Sequence, residues 1–331
     1  GQGEEPLLWL ADKVNENPNF DGNDLKDCSY PVFSNDFDKT EIRKKQLGIS
    51  RENKILNLPS GIPLFSPELD ACFDEPLSET FAWYETARGC IYTCSFCGHN
   101  TLPRFATFDE DLIRQEIEHM ADRGINHIFI NDPILGGKAA RGKRMLELFN
   151  EVAPQIEIQS YMRPEFLDEE FIELFAAGNH REVQIGIQTI NPEVPLHVRD
   201  NNLEKIKQYL PMLSEKGVPW RADLITGLPG DTIEGLRDSI KYVIDELKPN
   251  FLYAYHLTAI PDTQIEKMIG DYDSAHWIEA DPETRRVKSS STYSEDDMSF
   301  MLMYSTAACS LYMLLRSQKD SNPKQLTFSY I

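Results

Sequence analysis

The chain has 331 residues, with 54 acidic against 33 basic side chains and a formal net charge of -21. Hydrophobic residues make up 41%, enough at this length to bury a large core, so global disorder is excluded. A strongly acidic surface repels phosphate backbones, which argues against nucleic acid or an anionic membrane as a partner.

The chain opens at Gly1 directly into GQGEEPLLWL, which reads as the middle of a longer protein, with no secretory signal visible. Residues 1–78 are polar and rich in Asn, Asp and Pro. Leu7, Leu8, Leu10 and Val14 suggest one amphipathic helix there, followed by a connecting segment with turns. From Phe81 a different rhythm begins. FAWYETA (81–87) reads as a strand, and a helix over 109–123 is capped by Asp109 and ended by Gly124. HIFIND (127–132) is a second strand with a helix over 138–152, and IEIQSYM (156–162) a third with a helix over 168–177. VQIGIQT (183–189), WRADLIT (220–226) and FLYAYHL (251–257) continue the series, with helices over 202–216 and 232–247. Met298 to Leu315 is uncharged and close to the minimum length for a membrane span. Ser and Thr dilute it, so a buried or partner-packed helix is expected.

Six βα units in series predict an α/β fold with a parallel sheet, either open or closed towards a barrel. Function in both collects at the carboxyl ends of the strands. Those ends carry Glu85, Thr86, Asn131, Asp132, Tyr161, Arg163, Gln188, Thr189, Thr226 and His256. This coincidence of topology and polarity points to an enzyme.

The loop after the first strand reads RGCIYTCSFCGHN, placing Cys90, Cys94 and Cys97 at C-x₃-C-x₂-C spacing. Three thiolates cannot complete a tetrahedron alone. A structural zinc site would need a fourth ligand, which His99 could supply. A cubane iron–sulfur cluster held by three cysteines instead leaves one iron open for chemistry. Cys28, Cys72 and Cys309 are scattered and read as lone structural cysteines. Six cysteines so distributed do not make a secreted disulfide scaffold, and a reducing cytoplasm is the expected compartment.

From about Phe81 to Thr263 the sequence resembles the radical S-adenosylmethionine (SAM) enzymes. The resemblance implies that Cys90, Cys94 and Cys97 hold a [4Fe-4S] cluster whose open iron is chelated by SAM. Reductive cleavage then gives a 5′-deoxyadenosyl radical that abstracts a substrate hydrogen. It also implies a partial (β/α)₆ TIM-type barrel over 79–265, with 1–78 as N-terminal connector and 266–331 as a C-terminal helical cap. Phe96, before the third cysteine, takes the adenine-contacting place. Asp132, or a carbonyl nearby, stands where the family's strand-two motif meets the methionyl amino group. Gly186–Ile187–Gln188–Thr189 looks like the strand-four motif, with Gln188 in place of a carboxylate. Arg163 is placed to pair with the methionyl carboxylate, and His256 is a candidate substrate or cluster-side group. LITGLPGDT (224–232) resembles the superfamily's Gly-Leu-Pro-Gly turn, in which Gly227 and Gly230 are structural.

The opening GQGEEPLLWLADKV resembles the segment leaving a cobalamin-binding domain in the B12-dependent branch, although Gln2 stands where Glu is usual. Tyr84 to Cys90 (YETARGC), Arg104 and Glu116 also fit that branch. The resemblance therefore implies cobalamin as a cofactor bound mainly outside this chain segment. It also implies an external electron donor of flavodoxin or ferredoxin type. The reaction expected is methyl transfer to an unactivated centre, or a rearrangement such as oxidative ring contraction, on a small molecule or peptide. A radical SAM enzyme without cobalamin, and a noncatalytic barrel with a structural zinc or iron–sulfur site, remain the alternatives.

Overall fold

The computed structural model describes residues 81–101 and 105–318. The expected connector over 1–78, its cobalamin-type opening, Cys28, Cys72 and Arg104 all lie outside the described residues.

Six strands form one parallel sheet: β1 (Phe81–Tyr84), β4 (His127–Ile130), β5 (Glu157–Met162), β6 (His180–Gln188), β7 (Trp220–Thr226) and β8 (Phe251–His256), in that spatial order. Between them run α1 (Glu110–Asp122), α2 (Ala139–Val152), α3 (Glu169–Ala177), α4 (Leu203–Glu215) and α5 (Ile233–Tyr242). Strand order follows chain order, as serial βα units require. The helices begin where short polar side chains satisfy their first N–H groups. Asp109 accepts from the backbone N–H of Asp111 and Leu112, Asp168 from Phe171, Asn202 from Lys205, and Thr232 from Gly235.

Three boundaries differ from expectation by more than two residues. The expected strand over 81–87 divides. β1 pairs with β4, whereas β2 (Ala87–Arg88) pairs antiparallel with β3 (Ala106–Thr107), pinching together the two ends of the cysteine loop. β6 starts at His180, three residues early, because Ile158 of β5 pairs there before a register shift. The helix expected to reach Leu247 changes to a π turn over Val243–Leu247 and stops at Lys248, whose φ is 53°.

The register gives the sheet two unlike faces. Tyr84, Ile128, Ile130, Ile158, Val183, Ile185, Ala222, Leu224 and Leu252 all point one way, into the helix-covered core. Alternate residues point the other way. They are Trp83, Phe129, Gln159, Tyr161, Glu182, Gln184, Arg221, Asp223, Tyr253 and Tyr255. This second face is polar and aromatic, as suits the inside of a partial barrel. Arg221 organises it, with Nη1 3.3 Å from Glu182, Nε 2.8 Å from Asp223, and its guanidinium 5.2 Å from the centre of the Tyr253 ring.

After β8 the chain forms a small antiparallel pair, β9 (Ile278–Ala280) and β10 (Val287–Ser290), then the long helix α6 (Glu295–Gln318). By length and composition α6 is apolar enough to cross a membrane. In the fold it takes the place of a sixth outer helix, packed on β8, β7 and α5. Met298, Met301, Ser305, Ala308, Cys309 and Tyr312 form its buried stripe. The Ser305 and Thr226 hydroxyls lie 3.1 Å apart, and the Tyr312 hydroxyl donates to the Pro249 carbonyl at 2.6 Å. α6 thus completes the helical layer beside the last strand, with Cys309 buried as an ordinary core thiol.

Candidate active site

The cysteine loop sits at the carboxyl ends of the strands. Gly89, with φ of 80°, turns the chain out of β2 into it. Inside the loop Cys97 N–H donates to the Cys94 carbonyl at 3.1 Å. Ser95 anchors the loop on both sides, donating to Val198 O at 3.3 Å and accepting from Ile265 N–H at 3.0 Å. All three cysteines are free thiols and line one cavity of about 200 Å³. Phe96, Arg163 and Gln188 line the same cavity, as do Arg199, Gln184 and Asp223.

Each sulfur has donors directed at it. Cys94 Sγ receives Arg163 Nη1 at 3.2 Å and Arg199 Nη1 at 3.5 Å, while Cys90 Sγ receives the Tyr92 N–H at 3.5 Å. Burial pushes the Cys90 and Cys97 thiols up, opposed at Cys97 by a backbone hydrogen bond from His99. Cationic and N–H donors around three clustered sulfurs suit thiolates that ligate an iron–sulfur cluster. Among the described residues no group of three or more His, Cys, Asp or Glu side chains, the three cysteines included, is already drawn together as ligands of a metal ion. The donor set fits a cluster with one open position.

Asp132 does not face the cavity. It is fully buried and accepts from the backbone N–H groups of Thr86 (2.7 Å), Ala87 (2.9 Å) and Gly136 (2.9 Å), and from the Thr86 hydroxyl. Burial raises its pKa to about 6, against these hydrogen bonds. The Asp132 carboxylate, expected near the methionyl amino group, here ties the start of the cysteine loop to the turn after β4. Pro133 and Ile134 line the cavity in its place. Gly136, in that turn, has φ of 66°, and a Cβ there would come within 2.6 Å of Gly142 N, so the turn lies directly on α2.

Thr189 and His256 also turn elsewhere. Buried Thr189 lies 3.3 Å from the Ser239 hydroxyl and accepts from Asn191 N–H. His256 pairs with Thr226 in the register, on the helix-covered face, with Nε2 2.7 Å from the Val287 carbonyl. Neither borders the cavity. Gln188 does, because it sits at a register shift in β6 with φ of 69°, a conformation costly for a residue with a Cβ. Its side chain folds back over Gly186, where any Cβ would approach Gln188 Nε2 to 2.4 Å. The Gly-Leu-Pro-Gly turn is structural, with Gly227 and Gly230 at φ of 90° and 84°.

Asp223, Gln184, Tyr161 and Arg199 belong to the site but to no motif. Burial raises the Asp223 pKa to about 6, with Arg221 opposing. For the first three, polar side chains at alternate positions of otherwise apolar strands were the available signal. Arg199 lies in a connection and carries none.

Residues 84–243 match the family model of the radical SAM superfamily. The chain is similar to tryptophan 2-C-methyltransferase of Streptomyces laurentii, 24% identical over 177 residues, covering 48% of this chain and 30% of that protein. It is also similar to the cobalamin-dependent radical SAM methyltransferase TokK of Streptomyces tokunonensis, 22% identical, covering 56% of this chain and 29% of that one. Among solved structures, the methyltransferase TsrM of Kitasatospora setae with tryptophan and a SAM analogue shares the fold, with a TM-score of 0.53 and 22% identity. That match covers 65% of this chain and 43% of the other. The chain thus spans less than half the length of these relatives. With the matching model, the parallel βα fold and the three cysteines gathered on one cavity, residues 84–243 form a radical SAM domain.

Proposed function

We propose that this chain is the catalytic part of a cobalamin-dependent methyltransferase that cleaves SAM reductively at a [4Fe-4S] cluster. The observation that carries this is the convergence of Cys90, Cys94 and Cys97 on one cavity with Phe96 and Gln188. When bound, the cluster supplies an open iron for SAM and one electron for its cleavage. Cys90, Cys94 and Cys97 would ligate it. The Phe96 ring offers a flat surface for adenine, and the Gln188 amide offers both a donor and an acceptor to the nucleoside or methionyl group. Gln184 and Asp223 line the same cavity from β6 and β7, where a substrate N–H or O–H would find acceptors.

Methyl transfer is favoured over rearrangement because the relatives named above are methyltransferases. Cobalamin would bind mainly outside this chain segment, and an external flavodoxin- or ferredoxin-type donor would supply the electron. The acidic surface favours a small molecule or peptide as substrate, and the few, unevenly spread cysteines favour a reducing, cytoplasmic setting.

Anaerobic reconstitution tests the metal centre. About four iron and four sulfide per chain are expected in the wild type, with loss of both in Cys94→Ala. One zinc and no labile sulfide would overturn the proposal.

A further inference from the structure

Arg163 follows β5 and Arg199 lies in the β6–α4 connection, yet both place Nη1 on the Cys94 sulfur. Their other nitrogens are held by the protein. Arg163 donates through Nε to Glu165 at 2.7 Å and through Nη2 to the Asp200 carbonyl at 2.7 Å. Arg199 donates through Nε to Asn201 at 2.8 Å and through Nη2 to the Gly186 carbonyl. The Arg163 guanidinium also lies 3.6 Å from the centre of the Tyr92 ring, inside the cysteine loop. Both arginines are 5% exposed.

Glu165 is the carboxylate that serves the pair. Although burial opposes its charge, the Arg163 hydrogen bond and the Arg199 charge hold it below the usual carboxylate range. Two buried cations against one carboxylate leave one positive charge beside Cys94. An uncompensated buried charge is unfavourable. An electron delivered beside that charge is stabilised by it.

We propose that Arg163 and Arg199 are positioning residues that orient the Cys94 sulfur as a cluster ligand and raise the reduction potential of the cluster, instead of binding the methionyl carboxylate. This rests on the reading that the three cysteines hold a [4Fe-4S] cluster. The step concerned is electron entry: an external one-electron reductant loses one electron, the cluster gains it, and no bond breaks.

The test is a redox titration of the reconstituted full chain with titanium(III) citrate, read by electron paramagnetic resonance. Wild type, Arg163→Gln, Arg199→Gln and Arg199→Lys are compared, with iron, sulfide and SAM affinity measured on each. The glutamine variants should load iron and sulfide as the wild type does, yet titrate at more negative potential. The expected shift is about a tenfold loss in the reduction equilibrium, ~59 mV for one electron. Arg199→Lys should restore most of it. If Arg199→Gln does not fold, Arg163→Gln carries the same expectation. Loaded glutamine variants with wild-type potential would overturn the proposal, above all if SAM affinity fell instead. A wild-type chain that takes up no iron and sulfide would overturn the cluster reading, and this inference with it.

Discussion

Asp132 takes both polar groups of Thr86, the backbone N–H at 2.7 Å on one carboxylate oxygen and the hydroxyl on the other. That double contact joins the end of β1 to the end of β4 at the point where the chain leaves the sheet for the cysteine loop. Asp132→Ala leaves the N–H groups of Thr86, Ala87 and Gly136 without their acceptor. At about 1 kcal/mol or more for each orphaned donor, the loss should reach ~3 kcal/mol. Urea denaturation measures it, and iron retention during gel filtration should fall in parallel because the loop base is loosened.

His180 makes a different, pH-dependent contribution. It is buried with no hydrogen-bond partner at either ring nitrogen, and burial lowers its pKa from 6.5 to about 4. The unfolded chain then binds a proton that the folded chain refuses. The stability linked to this histidine is present above pH 6.5 and is lost as pH falls towards 4, by up to ~3 kcal/mol. Asp132, Asp223 and Asp231 act in the opposite direction, since their folded pKa values are raised to about 6. Their contribution is present at low pH and is lost as pH rises through 6. His180→Leu should therefore gain stability relative to wild type as pH drops from 7 to 4.5, measured as the difference between the two urea midpoints. A constant difference across that range would show that His180 does not titrate as described.

Phe96 borders the cavity without a role in holding the cysteine sulfurs. Stacking of a base on an aromatic ring is worth about 1–3 kcal/mol. Phe96→Ala should weaken SAM binding by roughly fivefold to more than a hundredfold. Equilibrium dialysis measures it, with iron content unchanged.

Tyr312 tests the place of α6. Its hydroxyl reaches the Pro249 carbonyl before β8, and its ring is fully buried. Tyr312→Phe keeps the ring but leaves the carbonyl without that partner, a loss of ~1–3 kcal/mol in urea unfolding. A helix that only brushed the domain would show no change.

Much of this was legible in the sequence because parallel strands buried by helices leave a strong apolar signature. WRADLIT has the observed bounds of β7, and Asp109, Asp168 and Thr232 cap the helices expected after them. The cysteine cluster was legible because its spacing is local. Side-chain direction was harder to read. Asp132 and His256 stand at strand ends, where polarity suggests a site, but one is consumed by backbone donors and the other shares the helix-covered face with Thr226. Alternation along β7 and β8 could have warned of this, since Arg221, Asp223, Tyr253 and Tyr255 share the face opposite His256. Arg199 was not legible at all. Its approach to Cys94, 105 residues away in sequence, is a product of tertiary packing.

The most direct measurement is 5′-deoxyadenosine released from SAM by the reconstituted, chemically reduced full chain. Wild type should form it, and Cys94→Ala, without its cluster, should not. A wild-type chain that holds iron and sulfide yet leaves SAM intact under reduction would contradict the proposed chemistry.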